Sequence, residues 1–389
     1  MRDMLMILDL QFGSTGKGQI AGTLGRKWEP DTVACANGPN AGHTYRWTIN
    51  AIEDPSVGGV VHTVLPVTAI LPTVRNILLG PGAVINLDKL NDEIRGSFSA
   101  FRGKNLIIHS NAVIVSELHR EREKEFVRIG STMKGTAEAV IDKMRRGPEA
   151  PIADNQQRHI KQTIEQSLQL AEMELMVSAD KYDRAMDSSR KLVVEGAQGH
   201  SLSIQGRFYP HCTSRDVGSH QLMSDCRVPL PERGGRAEII GVCRTYPIRV
   251  ANRRDADGKL IGFSGGHYDD QMELQWDAIK REPELTTVTR LPRRLFTFST
   301  KQVIEAARYN AMTGIALTFC DYLNAMEDKV GDLVSHDVRA LMRRIWLATN
   351  VPVRWLSYGP TDQDLYSTST DRMEDTLKLT APERLFKGM

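Results

Sequence analysis

Short apolar runs alternate with longer mixed segments along the whole chain. Residues 4–10 (MLMILDL) form the first run. It is nearly continuous and stops at a glycine-containing turn, the pattern of a strand buried on both faces. Residues 19–28 follow with helical character. Residues 76–87 (NILLGPGAVINL) and 105–115 (NLIIHSNAVIV) read as strands broken by turns. Further strands are expected at 192–194, 239–250, 315–319 and 351–356. Ser116 caps a charged helix, ELHREREKEFVRI, whose mixed signs suit a solvated face. Residues 155–190 carry the longest polar–apolar pattern and predict one or two amphipathic helices. Helices at 299–310, opened by a serine cap, and at 338–349 complete the pattern. Strands alternating with helices predict an α/β fold around a large, mostly parallel central sheet with helices on both faces. No repeat, low-complexity segment or clean linker divides the chain. Residues 1–389 are therefore expected to form a single domain with a helical insertion at about 116–190.

Composition narrows the function. The chain is 41% hydrophobic and 25% charged, ordinary values for a globular protein and unlike disorder, collagen or coiled coil. Fifty Lys and Arg against forty-eight Asp and Glu leave a net charge of +2. That balance argues against a nucleic-acid polymer or an acidic membrane as partner, because both reward a basic excess. Small anions need only a local cluster. No apolar run approaches the roughly 18 residues of a membrane span. The five apolar residues before Asp9 are too few for a secretory signal. The cysteines (Cys35, Cys212, Cys226, Cys243, Cys320) are scattered without a CxxC pair, so no disulfide framework or zinc site is expected. A reducing, cytoplasmic compartment fits that usage.

Four stretches carry chemistry. GSTGKG, Gly13 to Gly18, joins the first strand to the first helix. Its glycines can turn backbone N–H groups toward a phosphate, the helix N-terminus adds its dipole, and Lys17 adds a charge. It is not the common GxxxxGK[ST] loop, and a tight turn that contains a lysine is the competing reading. NAGHT, Asn40 to Thr44, places His43 in a turn-rich loop where it could serve a developing oxyanion or simply be structural. EGAQG, Glu195 to Gly199, allows a backbone to approach a ligand and offers the Gln198 amide to a base edge, with Thr213 in YPHCTSRD downstream. TTVTRLPRR, Thr286 to Arg294, has the threonines and arginines of a carboxylate or phosphate clamp, or of a plain basic loop.

In this order, the motifs make the chain resemble adenylosuccinate synthetases over nearly its full length. The family's GDEGKGK stands here as GSTGKGQ, while NAGHT and EGAQG are unchanged. IGTT stands as IGST up to Thr132, and DK…RRG as Asp142, Lys143, Arg145, Arg146 and Gly147. YP…TS fits Tyr209 to Ser214, TTVTGRPRR stands as TTVTRLPRR, TKxD as TFCD and SVGP as SYGP. The resemblance implies a P-loop-NTPase-related α/β fold and a two-step ligation. A γ-phosphoryl group moves to purine O6, and the aspartate amine then displaces phosphate at C6. His43, Lys17 and Ser14 would be the catalytic set. Gly13, Ser14, Thr15, Gly16, Lys17, Gly18, Gln19, Gly42, His43 and Thr44 would hold the triphosphate, whose base would be lined by Phe319, Asp321, Ser357, Tyr358 and Gly359. Ser14, Asn40, Ala41, Thr132, Arg146, Gln198 and Thr213 would hold the purine monophosphate. Thr287, Val288, Thr289, Arg290 and Arg293 would hold L-aspartate. Mg²⁺ would sit at Ser14 and Gly42. Arg146 would reach the neighbouring site of a homodimer, with Arg145 as the alternative.

Two departures shift the expected substrates. The family's acidic residue, which takes the purine N1 proton, is Ser14 here. A serine hydroxyl is no ionised base near neutral pH, but it is small and uncharged beside the purine's C2, where guanine carries an amino group. This looks like the phage-encoded relatives that act on dGMP, the 2-aminoadenylosuccinate synthetases. It implies dGMP as acceptor, N6-succino-2-amino-2′-deoxyadenylate as product for 2-aminoadenine DNA, and a host cytoplasm as location. The family's guanine-packing lysine is replaced in TFCD by Phe319, which can stack on any base and points to ATP or dATP, while Asp321 keeps GTP as the second choice. An ordinary IMP- and GTP-using adenylosuccinate synthetase is the runner-up. A GTPase-like switch would leave NAGHT and the threonine–arginine loop without a role.

Overall fold

Within the first strand, Asp3–Asp9 (β1), alternate side chains go to opposite faces. Leu5 and Ile7 join one hydrophobic cluster, and Met4, Met6 and Leu8 join another. Both faces of the strand therefore need cover, and both receive helices, as a parallel sheet requires. The computed structural model describes residues 2–49, 56–230, 235–286, 290–323, 334–368 and 379–380.

The central sheet has eleven strands. After β1 they are Thr32–Cys35 (β2), Asn76–Leu79 (β3), Asn105–Ile108 (β4), Glu174–Val177 (β5), Lys191–Glu195 (β6), Ala237–Arg244 (β7), Gly314–Thr318 (β8), Val353–Ser357 (β9), Leu365–Thr368 (β10) and Leu379–Thr380 (β11). Their spatial order is β11-β10-β9-β8-β7-β1-β6-β2-β3-β4-β5. Every pairing from β9 to β5 is parallel, and only the pairings of β10, with β9 and with β11, are antiparallel. The expected α/β class and mostly parallel sheet are what the chain adopts. β1 lies between β6 and β7, so the chain leaves it toward one edge and later toward the other. A crevice outside the carboxyl ends of β1, β6 and β7 is where such a sheet binds ligands.

Several expectations are corrected. The charged helix after Ser116 runs only from Glu117 to Glu123 and tightens into a 3₁₀ turn over Lys124–Ile129, while Ser116 and His119 form its capping box. Residues 155–190 hold two helices, as expected, Gln157–Leu170 and Ala179–Ser188, but ELMV between them is β5 at the sheet edge, so the segment 116–190 is not helical throughout. The 239–250 region breaks after Arg244, and Ile248–Arg249 pairs instead with Arg294–Phe296 in a small antiparallel sheet. NAGHT opens a hairpin, His43–Ile49 with Ser56–His62, where only turns were expected. Among the described residues no helix is long and apolar enough to cross a membrane.

Candidate active site

The sequence motifs converge at the carboxyl ends of the central strands. β1 ends in Asp9, whose buried carboxylate accepts from Gln11 N (2.9 Å), Gly13 N (3.3 Å) and Thr15 Oγ1 (2.6 Å). These bonds fold GSTGKG back over the strand end. Gly13 (φ 89°), Ser14 (φ 55°) and Gly16 (φ 79°) take the left-handed backbone that this reversal needs. The Gly13 N–H is thereby occupied by Asp9. Amides of the first turn of helix α1, Lys17–Trp28, have no intrahelical acceptor and remain for an anion. Burial raises the Asp9 pKa, with Lys17 and Thr15 opposing.

Two loops are pressed together by small residues. A Cβ on Gly199 would lie 2.3 Å from Gly13 N and 2.4 Å from Gln11 O, so EGAQG rests directly on the phosphate-type loop. A Cβ on Gly18 would lie 2.7 Å from Thr44 O, and one on Gly22 would lie 2.3 Å from the Tyr45 ring. Helix α1 thus packs tightly under the hairpin, and Gln19 pins the hairpin by bonds to Arg46 N (2.8 Å) and Arg46 O (2.9 Å). The close approach carries His43 to Lys17.

Lys17 Nζ lies 2.8 Å from His43 Nε2, both residues buried. An ammonium has no acceptor, so Nε2 receives the bond and the imidazole proton sits on Nδ1. His43 Nδ1 faces Glu195 Oε2 at 3.8 Å, beyond hydrogen-bond reach, and has no other partner among the described residues. Glu195, at the end of β6, is fixed by Val67 N (3.2 Å), Thr68 N (2.8 Å) and Thr68 Oγ1 (2.6 Å). Burial and then Lys17 lower the His43 pKa, and burial lowers that of Lys17. Burial acts to raise Glu195, but His43 and the Thr68 bonds outweigh it and its pKa is lowered. The result is a neutral imidazole held between a buried cation and a buried carboxylate.

On the other side of β1 the expected Phe319 and Asp321 lie among residues that sequence reasoning missed: Arg244, Glu284, Tyr322 and Arg281. Arg244 ends β7 and is fully buried. It donates to Ser14 O (3.0 Å), pairs with Glu284, and lies 3.8 Å above the Phe319 ring. Tyr322 packs edge-on against Phe319 (5.1 Å) and donates to Glu284 (3.1 Å). Phe319 touches the phosphate-type loop, since a Cβ on Gly16 would lie 3.7 Å from its ring. Asp321 is paired with Arg281 (3.4 Å), and burial raises its pKa.

The remaining expected residues are distributed as follows. Ser14, Gly42 and Thr44 are exposed; Asn40, Ala41, Gln198 and Thr213 are half-buried. Thr15 is buried on Asp9. Thr132 lies in a loop anchored by Arg253 to Ser131 O (2.6 Å). Arg146 is exposed beyond the helix Thr136–Met144, and Arg145 is paired with Asp142 (2.5 Å). The Ser357 hydroxyl bonds Gly359 O (3.1 Å), and Tyr358 packs edge-on to Tyr366. Thr287, Val288 and Thr289 fall outside the described residues. The flanks of their loop are joined by Arg293 N to Glu284 O (2.8 Å) and Thr286 N to Leu291 O (2.9 Å), with Arg290 exposed and Arg293 half-buried. Arg249 bonds His211 O (2.9 Å) and so steadies the stretch that holds Thr213. Asp9 was also missed. For Asp9 the signal was present: a carboxylate that ends an apolar strand directly before a glycine-rich loop.

A phosphate-type loop, a buried Lys–His–Glu set and an aromatic–arginine platform at one switch point define a nucleotide-using α/β enzyme. The family model for adenylosuccinate synthetase matches residues 6–175 and 149–332. The N6-succino-2-amino-2′-deoxyadenylate synthase of Acinetobacter phage SH-Ab 15497 is 36% identical, over 86% of this chain and 88% of its own. That of cyanophage S-2L is 36% identical, over 94% and 92%. A solved structure of the cyanophage S-2L succinoaminodeoxyadenylate synthetase, bound to dGMP and dATP as an energy donor, superposes with a TM-score of 0.80 at 34% identity, covering 95% of this chain and 96% of that one. Plasmodium falciparum adenylosuccinate synthetase shares the fold, with a TM-score of 0.69 at 18% identity. The chain belongs to the adenylosuccinate synthetase family and is a C–N bond-forming ligase.

Proposed function

We propose that the enzyme condenses L-aspartate with C6 of dGMP, with ATP or dATP as phosphate donor, giving N6-succino-2-amino-2′-deoxyadenylate. The single observation that carries the choice of acceptor is Ser14, an uncharged, exposed residue at the tip of the loop that also holds Lys17. Phage relatives named for that product, and a relative bound to dGMP and dATP, support the same substrates.

Phosphoryl transfer needs charge neutralisation and alignment more than covalent help. Lys17 and the first-turn amides of α1 are built for that. When a triphosphate draws Lys17 away, His43 Nε2 loses its donor and one cause of its lowered pKa. A proton on Nε2 can then serve O6, with the resulting imidazolium stabilised by Glu195 across 3.8 Å. Aspartate would be taken by the loop that contains Arg290 and Arg293. Among the described residues no cluster of acidic, His or Cys side chains forms a metal cage. The exposed Ser14 and Gly42 offer neutral oxygens, which fit a Mg²⁺ brought in on its triphosphate, since that ion keeps waters and phosphates as ligands. Bound there, it would neutralise charge on the β- and γ-phosphates. Arg146, exposed at a helix end, would complete the monophosphate site of a second copy in a homodimer.

The test is a substrate matrix: dGMP, GMP and IMP against ATP, dATP and GTP, with phosphate release measured with and without aspartate. Aspartate-dependent turnover of dGMP is the expected result. Turnover of IMP with none of dGMP would overturn the assignment in favour of an ordinary adenylosuccinate synthetase.

A further inference from the structure

Arg244 is unusual for a buried cation, because its contacts join three separate parts of the site. Its backbone N–H and C=O are clamped by the Gln11 side chain at 2.9 and 3.1 Å, so β7 and the loop after β1 move as one. Its guanidinium donates to Ser14 O at 3.0 Å, which fixes the loop that carries Lys17. The same group lies 3.8 Å over Phe319 and pairs with Glu284. Glu284 is the first residue of the aspartate-type loop's stem, where its carbonyl accepts from Arg293 N (2.8 Å), and its carboxylate also accepts from Tyr322 (3.1 Å). Arg244 Nε has no partner among the described residues. A guanidinium is planar and stacks on an aromatic face while its edge forks onto a carboxylate; a lysine cannot do both.

We propose that Arg244 is a positioning residue that fixes Phe319 as the stacking surface for the triphosphate's base and, through Glu284, couples that surface to the aspartate loop. One face of Phe319 is covered by the guanidinium, so a base has only the opposite face to stack on. Arg244 itself touches no substrate. A purine on Phe319 and the stem formed by residues 284–286 and 290–293 both bear on the Arg244–Glu284 ion pair, so each ligand should tighten the other. The proposal rests on the reading of 319–322 as the base site.

The test uses Arg244→Lys, Glu284→Gln, Phe319→Leu and the pair Arg244→Lys with Phe319→Leu in the full-length enzyme. ATP affinity is measured by equilibrium titration without an acceptor, and KM for ATP, aspartate and dGMP by phosphate release. Arg244→Lys should weaken ATP about tenfold or more and raise KM for aspartate severalfold, with KM for dGMP, felt only through the Ser14 carbonyl, changed less than either. Phe319→Leu should weaken ATP alone. In the double variant the ATP losses should not multiply. Glu284→Gln should reproduce both effects and carries the test, together with Phe319→Leu, if Arg244→Lys fails to fold. Fully multiplicative ATP losses, or an equal loss for all three substrates, would overturn the proposal. ATP binding that responds as expected in an enzyme inert toward dGMP would instead overturn the substrate assignment and leave this coupling in place.

Discussion

Glu195→Gln tests the chemistry at its centre. The carboxylate faces His43 Nδ1 at 3.8 Å. At an effective dielectric of about 20, a unit charge at that separation stabilises an imidazolium by about 4 kcal/mol. The substituted amide keeps the shape and can still accept from Thr68 N, but its NH₂ would oppose both Val67 N–H and the imidazole. The opposing donors at Val67 cost about 1–3 kcal/mol of stability. If His43 must carry a proton while phosphoryl transfer occurs, kcat falls about a thousandfold, the kinetic equivalent of about 4 kcal/mol. The decline of kcat toward high pH should also move to lower pH. That follows because loss of the carboxylate removes the influence that opposes the burial-lowered His43 pKa. The assay is phosphate release at saturating dGMP, ATP and aspartate across pH 5.5 to 9, with thermal unfolding of both proteins in parallel. A folded Glu195→Gln enzyme with kcat within fivefold of the parent would refute a charged His43 and leave Glu195 as a backbone anchor only.

Ser14→Asp should restore a base beside N1 and crowd the 2-amino group. IMP turnover is expected to rise while KM for dGMP increases about tenfold, and improved dGMP use would contradict the steric account. Glu93 holds the end of the His43 hairpin by accepting from Thr63, Val64 and Leu65 N–H groups, and burial pushes its pKa up to about 7. A carboxyl raised in the folded state favours folding below its unfolded pKa near 4.5, and that advantage is lost as pH climbs through 7. The stability difference between the parent and Glu93→Gln should therefore shift against the parent by about 3 kcal/mol between pH 4.5 and 8. A pH-independent difference in chemical denaturation would show that folding does not raise the Glu93 pKa.

The parts of the site that can be read from the sequence are those in which chemistry and backbone share one short segment. GSTGKG, NAGHT and EGAQG each place a polar side chain next to the glycines that let its loop turn, so Lys17, His43 and Gln198 were visible before any fold was known, whereas the place of Glu195 beside His43 was not. The sheet was visible for the same reason, because strands buried on both faces are continuous apolar runs. What escaped lacks that local mark. β5 is a four-residue edge strand with exposed or half-buried positions between two helices, so its ELMV continues their pattern. The hairpin from His43 carries Arg46 and Thr48 on one side, and its pairing depends on Gly58 and Gly59 opposite Trp47 and Arg46. Arg244 and Glu284 escaped although Phe319 did not: the three come from separate segments that meet only because β7 and β8 are neighbours, with Arg244 in register with Thr318. No spacing rule could relate them. The Ser14 change thus speaks to the acceptor from sequence alone. The Phe319 change speaks to the donor in the same way, and what needs the strand order is the buried Arg244 that lies over that ring and pairs with Glu284.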